Sequence, residues 1–334
     1  MQNIINGLPI AAVILLLAVG FAFLVKGADF FVEGSSSIAK KLKVPPIIIG
    51  LTIVAMGTSL PETAVSVTAS LVQNNELAVS NVVGYNIFNL MFVIGVCSIL
   101  TPIMVQKATV VRDIPLSLGC ALFLLVLGIS GLGDKAGMTL GHADGVIFLI
   151  VFAGYIFTMV RSAMKARAAG QKIEIEGVEE CDNMKELSYG KSILFLIVGA
   201  AAIAFGGDLT VDTASRIAIE LGMSQTLVGL TIVSIGTSLP ELVTSVVAAR
   251  KNEVDMAVGN AVGSNIFNIL MVLGISSAIS PVALIWENII DIVLLMVFSV
   301  MVWIFAGTRK KIERKEGIIM VVVYLVYCAY IIAR

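Results

Sequence analysis

Residues 57–62 read Gly-Thr-Ser-Leu-Pro-Glu, and residues 236–241 read the same six letters. Each copy sets a carboxylate, two hydroxyls, a glycine and a proline inside an otherwise apolar run. The match extends outward. Gly50–Glu62 (GLTIVAMGTSLPE) and Gly229–Glu241 (GLTIVSIGTSLPE) differ only at Ala55/Ser234 and Met56/Ile235. The offset is 179 residues (236 minus 57), and it also lays Asn81–Asn89 (NVVGYNIFN) on Asn260–Asn268 (NAVGSNIFN). Gly27 falls on Gly206, Asp29 on Asp208 and Gly128 on Gly307 by the same offset. One constant offset over so long a stretch means that the chain is two copies of one unit.

The solvent for that unit is lipid. The chain is 58% hydrophobic and 13% charged, with mean hydropathy +1.01, whereas soluble domains carry about 25% charged residues. Apolar runs long enough to cross a bilayer, about 20 residues, fall near 8–32, 45–71, 77–100, 113–131 and 143–162. Five more fall near 189–212, 225–249, 256–279, 288–306 and 317–333. The expected fold is all-α: a polytopic membrane protein of ten transmembrane helices. The expected units are a first five-helix repeat at 1–163, a polar linker at 164–188 and a second five-helix repeat at 189–334. The amino-terminal run lacks a basic n-region and a small-residue cleavage site, so it reads as a retained span and not a signal peptide.

Of the 22 Lys and Arg, all but Lys26, Lys135, Arg216 and Arg334 fall on one side of the ten-span layout. That cation-rich side is expected to be cytoplasmic, with both termini outside, in the cell (plasma or inner) membrane. An odd number of spans per repeat makes the second repeat enter from the opposite side. The repeats are therefore inverted, an arrangement that places a transporter's substrate near the midplane where they meet.

Read as one helix, 57–62 puts Thr58, Ser59 and Glu62 on a common face. Thr58 and Glu62 are i and i+4, and Ser59 and Glu62 are i and i+3, the spacings that bring side chains together. Pro61 has no N–H and crowds the carbonyl of Gly57, so freed carbonyls, with that of Ala55 two turns before Glu62, become available. The second copy offers Thr237, Ser238, Glu241 and the Ser234 carbonyl. Hydroxyls in membrane helices often only bond back to their own backbone. A carboxylate inside a span is costly and points to function. The second motif adds Asn89 and Asn268, which divide between interhelical hydrogen bonds and ligands, and Ser264. Gly84 and Gly263 read as sites of close helix approach. Every donor is oxygen, which suits hard cations such as Ca²⁺.

The other polar residues take plainer readings. Asp29, Glu33, Asp208 and Asp212 read as interfacial charges near span ends. Cys97, Cys120 and Cys328 sit in apolar runs as small hydrophobes. With Cys181 and the single histidine, His142, they do not make a zinc or copper site. Net charge is −1, which gives no nucleic-acid footprint. No cofactor is expected.

The paired GTSLPE and Asn-x-x-Gly-x-Asn-Ile-Phe-Asn segments resemble the two alpha-repeats of the sodium/calcium exchanger (calcium/cation antiporter) family, over nearly the whole chain. The resemblance implies a ten-helix exchanger with spans 2, 3, 7 and 8 as its ion-binding core, against which spans 1 and 6 move. It implies Glu62 and Glu241 as principal ligands of Ca²⁺ and Na⁺. Thr58, Ser59, Thr237, Ser238, Asn89, Ser264, Asn268 and the carbonyls of Ala55 and Ser234 would assist. Two residues depart from the pattern. Tyr85 stands where the family has Ser, and Asn268 stands where some microbial members have Asp. The linker is too short for the calcium-sensing domains of animal exchangers.

The expected activity is Ca²⁺/Na⁺ antiport by alternating access, with those ions as substrates and the lipid bilayer as a partner, no nucleic acid, and protein partners left open. Alternatives are Ca²⁺/H⁺ exchange, K⁺-dependent exchange, a cation channel, or an intramembrane hydrolase using Glu62 and Glu241 as acid and base. The hydrolase fits poorly, because such a pair needs unlike environments and the repeats supply like ones.

Overall fold

A computed structural model describes residues 5, 7–71, 78–130, 138–168, 187–223 and 236–334. It is almost wholly helical. In chain order the helices are α1 Ile10–Leu42, α2 Pro46–Thr58, α3 Leu60–Leu71, α4 Ala78–Leu100, α5 Thr109–Ser130 and α6 His142–Ala168. They continue with α7 Tyr189–Glu220, α8 Leu239–Arg250, α9 Val254–Ile279, α10 Trp286–Arg309 and α11 Arg314–Ala333. Among the described residues, eight are long and apolar enough to cross a membrane, or nine with α2 and α3 taken as one bent span. The run expected at 225–249 is described only from residue 236, where α8 follows.

The helices outrun their hydrophobic stretches. α1 has 33 residues and α7 has 32, each roughly 50 Å long at 1.5 Å per residue. A bilayer core of about 30 Å accommodates them only with tilt or overhang. α1 ends with Lys40 and Lys41 in its last turn and Lys43 in the left-handed conformation (φ 55°). That turn closes the helix through bonds from the Lys43 N–H to the carbonyls of Ala39 and Lys40.

Two two-residue ladders tie the halves together. Ile103 and Met104 (β1) pair antiparallel with Ile312 and Lys311 (β4). Thr139 and Leu140 (β2) pair with Ala283 and Val282 (β3).

The halves interlock most deeply at α4 and α9, which are 72% and 78% buried over their most apolar stretches; α1 and α11 are at 22%. Large apolar side chains on the outer helices, among them Leu15, Ile150, Ile197, Val297 and Val326, are exposed. In a membrane protein these form the surface that meets lipid. α9 lies against α2 at backbone distance. A Cβ at Gly259 would stand 2.8 Å from the Ile47 carbonyl, and one at Gly263 would stand 2.8 Å from Leu51 Cα. Small residues permit such approach. Gly84, the 179-offset counterpart of Gly263, meets nothing within 4 Å among the described residues; positions 230 and 234, the counterparts of Leu51 and Ala55, lie outside them.

α1 and α7 run antiparallel along a glycine seam. Gly20 faces Gly206 and Thr210, Gly27 faces Gly199 and Ile203, and Gly34 faces Ser192 and Leu196. A Cβ at Gly199 would stand 2.7 Å from the Phe31 nitrogen. The seam is flanked by the ring pairs Phe23–Phe205 and Phe30–Phe195, with centroids 5.2 and 4.9 Å apart.

Candidate cation site

The repeated motif is not one helix. α2 stops at Thr58 and α3 starts at Leu60, with a bend of 48° between them. Ser59 takes φ −89° and ψ 7°, and Ser238 takes φ −92° and ψ 5° in the other repeat. Both lie in the bridge region, where active-site residues are often found. This corrects the continuous helical face expected for Thr58, Ser59 and Glu62. The cause is Pro61, which cannot continue the hydrogen-bond ladder back to Gly57 and is tolerated only in the first turn of a new helix. The break places Glu62 and Glu241 as third residues of α3 and α8, where unpaired N–H groups and the helix dipole favour negative charge.

Both carboxylates are buried, Glu62 at 5% exposure and Glu241 at 2%. They lie close enough to repel one another. Ser59 Oγ donates to Glu241 Oε1 at 3.1 Å, so a hydroxyl of the first repeat holds the carboxylate of the second. Thr58 Oγ1 lies 3.1 Å from Asn260 Oδ1 and 3.2 Å from the Val54 carbonyl. Asn260 Nδ2 in turn donates to the Glu241 carbonyl at 3.3 Å and to Ser245 Oγ at 2.9 Å. The Ala55 carbonyl already accepts from the Ser59 N–H at 3.1 Å and lies 3.3 Å from Thr58 Oγ1. Ser238 is buried, and Thr237 is half-buried and hydrogen-bonded to Tyr85. Ser234 lies outside the described residues, as do Cys181 and most of the linker.

The asparagines interlock across the repeats. Asn86 Nδ2 donates to the Asn265 carbonyl at 3.2 Å, and Asn265 Nδ2 to the Asn86 carbonyl at 3.1 Å. Asn89 Nδ2 donates to Asn265 Oδ1, and Asn268 Nδ2 to Asn86 Oδ1, both at 3.3 Å. Asn86 and Asn265 thus fix the amide orientation of Asn89 and Asn268 and leave the two Oδ1 atoms turned away from the network. Sequence reasoning assigned Asn86 and Asn265 no part; their signal was the exact recurrence of Asn at both offsets. Asn89 and Asn268 stand within π-turns, Phe88–Val93 and Asn268–Val272, a local widening that often marks functional positions.

Among buried side-chain oxygens without a hydrogen-bond partner are Glu62 Oε2, Glu241 Oε2, Asn89 Oδ1, Asn268 Oδ1 and Ser264 Oγ. Buried polar groups are nearly always satisfied. Five such oxygens in the two pairs of matched motifs are an all-oxygen set suited to a hard cation. Among the described residues no three His, Cys, Asp or Glu cluster as a metal group. That accords with a set built from two carboxylates plus amides and a hydroxyl.

Glu62 also lines a cavity of about 400 Å³ with Tyr85, Asp208, Asp212, Val211, Gly236 and Thr237. Asp208 is exposed and Asp212 half-buried. The sequence read these two as interfacial charges; the fold turns them into the cavity. On the cation-rich side Asp29 instead meets Lys251 Nζ at 3.4 Å and Lys26 Nζ at 3.7 Å. Nearby, burial lifts the Glu253 carboxyl above its ordinary range, while the Ser36 hydroxyl and the Lys40 charge draw it part-way back.

The matched motifs and this site have counterparts in known proteins. A profile described as sodium/calcium exchanger protein matches residues 12–161 and 191–333. The chain belongs to the sodium/calcium exchanger family. It is 33% identical to the sodium/calcium exchanger MaX1 of Methanosarcina acetivorans, over 94% of this chain and 96% of that one. It is 36% identical to the putative antiporter CaxA of Alkalimonas amylolytica, over 92% and 95%. Its fold matches the solved sodium-calcium exchanger NCX_Mj with TM-score 0.80 and 31% identity, covering 96% of this chain and 99% of that one. The family assignment makes the chain a multi-pass membrane transporter and not an enzyme.

Proposed function

We propose that this exchanger moves Ca²⁺ across the cell membrane against Na⁺ by alternating access, with Glu62 and Glu241 as the principal ligands of both ions. The supporting ligands are Thr58, Ser59, Thr237, Ser238, Asn89, Asn268, Ser264 and the carbonyls of Ala55 and Ser234. The observation that carries this assignment is the set of buried, unpartnered oxygens contributed by both repeats. A bound cation would satisfy acceptors that no N–H or O–H of the described residues meets. The reading takes 1–163 and 189–334 as inverted five-helix repeats joined by a cytoplasmic linker at 164–188, with both termini outside. On that orientation the cavity beside Glu62 opens outward.

Uptake of ⁴⁵Ca²⁺ into vesicles, with Na⁺, K⁺ and pH gradients imposed separately, tests the reading. An outward Na⁺ gradient should drive uptake by itself. Uptake that ignores Na⁺ and follows a pH gradient would replace it with Ca²⁺/H⁺ exchange, and a strict K⁺ requirement would add a third ion.

A further inference from the structure

Asp208 and Asp212 stand one turn apart on α7 and line the same cavity as Glu62. Among the described residues neither makes an ion pair or a hydrogen bond. Like charges at i and i+4 repel, and no described Lys or Arg bridges this pair; the one positive charge that reaches both is that of the chain's amino terminus. Below them Glu62 is 5% exposed, with Oε2 unpartnered, and close enough to feel the charge of Asp208. Tyr85 and Thr237, joined to each other, add hydroxyl oxygens to the wall.

The matched position on the opposite side differs in one respect. The 179-residue offset lays Asp29 on Asp208 and Glu33 on Asp212. Asp29 is neutralised by Lys26 and Lys251. The same offset puts Phe205 in the place of Lys26 and Val72 in the place of Lys251. The acidic pair has been kept in both repeats, and the lysines only in one.

We infer that Asp208 and Asp212 form a second, weaker subsite for a divalent cation such as Ca²⁺ at the mouth of the cavity, above Glu62. The inference extends the reading of Glu62 as a ligand. Two carboxylates with water completing the shell make an open, oxygen-rich site, and such sites bind Ca²⁺ at about 10⁻⁴–10⁻³ M. An acidic cleft also raises the local concentration of cations above the buried site. The opposite face, with its lysines, does not.

Equilibrium ⁴⁵Ca²⁺ binding to the purified full chain tests this. Glu241→Gln removes a buried ligand and leaves the cavity residues in place. Sub-millimolar to millimolar binding should persist in that variant and weaken about tenfold when Asp208→Asn and Asp212→Asn are added. In the otherwise unaltered chain the two Asn substitutions should raise half-saturating Ca²⁺ presented to the cavity face by about threefold to tenfold, with a much smaller shift on the lysine-rich face. The subsite is overturned if Glu241→Gln leaves no such binding, if the Asn substitutions do not change it, or if both faces shift alike. Full exchange by Glu241→Gln would instead overturn the buried site. A single monodisperse species for each variant shows that a loss is not misfolding.

Discussion

On the lysine-rich face, Asn260 is buried and ties α9 to α8 through Ser245 and the Glu241 carbonyl. On the other face its counterpart Asn81 is exposed, as are Ala64, Val65 and Thr68 along α3. Thr58 meets Asn260, whereas Thr237 meets Tyr85. Ser264 is fully buried and Tyr85 only half. Asp29 is bridged by lysines, and Asp208 faces a cavity. The two faces are built from nearly the same letters, yet among the described residues the lysine-rich one buries Asn260 and Ser264 and the other leaves Asp208 and Glu62 lining a cavity. The difference teaches that near-identical repeats do not impose identical packing: where the side chains differ, as Tyr85 and Ser264 do, matched positions meet unlike partners.

The largest test strikes what the faces share. Glu62→Gln and Glu241→Gln should each cut exchange by about a hundredfold or more, on the order of losing one of two ligand charges, while each variant stays folded. Near-normal vesicle flux in either would break the shared site. For the same reason exchange at fixed Ca²⁺ should fall as the medium is acidified, since a protonated carboxyl carries no charge for the cation. A pH-independent flux would count against carboxylate ligation.

Packing comes next. Gly263→Ala pushes a methyl against the Leu51 backbone and should cost about 1–3 kcal/mol. Gly84→Ala on the open face should cost less. Thermal unfolding in detergent compares the two, and equal losses would erase the asymmetry.

Smaller still is the lysine bridge. Lys251→Ala leaves Asp29 with Lys26 alone, and partly exposed pairs are worth about 0.2–1 kcal/mol. Half-saturating Ca²⁺ on the lysine-rich face should therefore fall by about threefold or less. No change there would mean that the bridge does not hold that face closed. An effect of similar size is expected from Tyr85→Ser, which restores a matched hydroxyl opposite Ser264. Sodium affinity should rise by about twofold to fivefold, the range of one interhelical polar contact. An unaltered sodium dependence would show that Tyr85 does not stand in for a ligand.

Much of the fold was legible because lipid leaves few options. Backbone polar groups in a bilayer must be satisfied within a helix, so the described apolar runs are helical, with the run at 45–71 broken into α2 and α3. The carboxylates stood out by their cost in lipid. The break at Ser59 was harder to see, because Pro61 announces a distortion but not whether the helix bends or stops. The parts of Asn86 and Asn265 were hidden by periodicity: they point away from Asn89 and Asn268 on their own helices and meet them only from the other repeat. Asp208 and Asp212 looked like span-end charges because the cavity that receives them is formed by α3 and α4, far away in sequence.

By itself, then, the sequence determined the repeats, the membrane solvent and the two carboxylates, each following from a local property such as hydropathy, charge or exact recurrence. Only the tertiary structure decided which described residues line a cavity, which amide oxygens are left without described donors, and which acidic pair meets a lysine of the other repeat. Those depend on contacts between residues 179 and 222 positions apart, Asn86 with Asn265 and Asp29 with Lys251, which no local pattern in the chain announces.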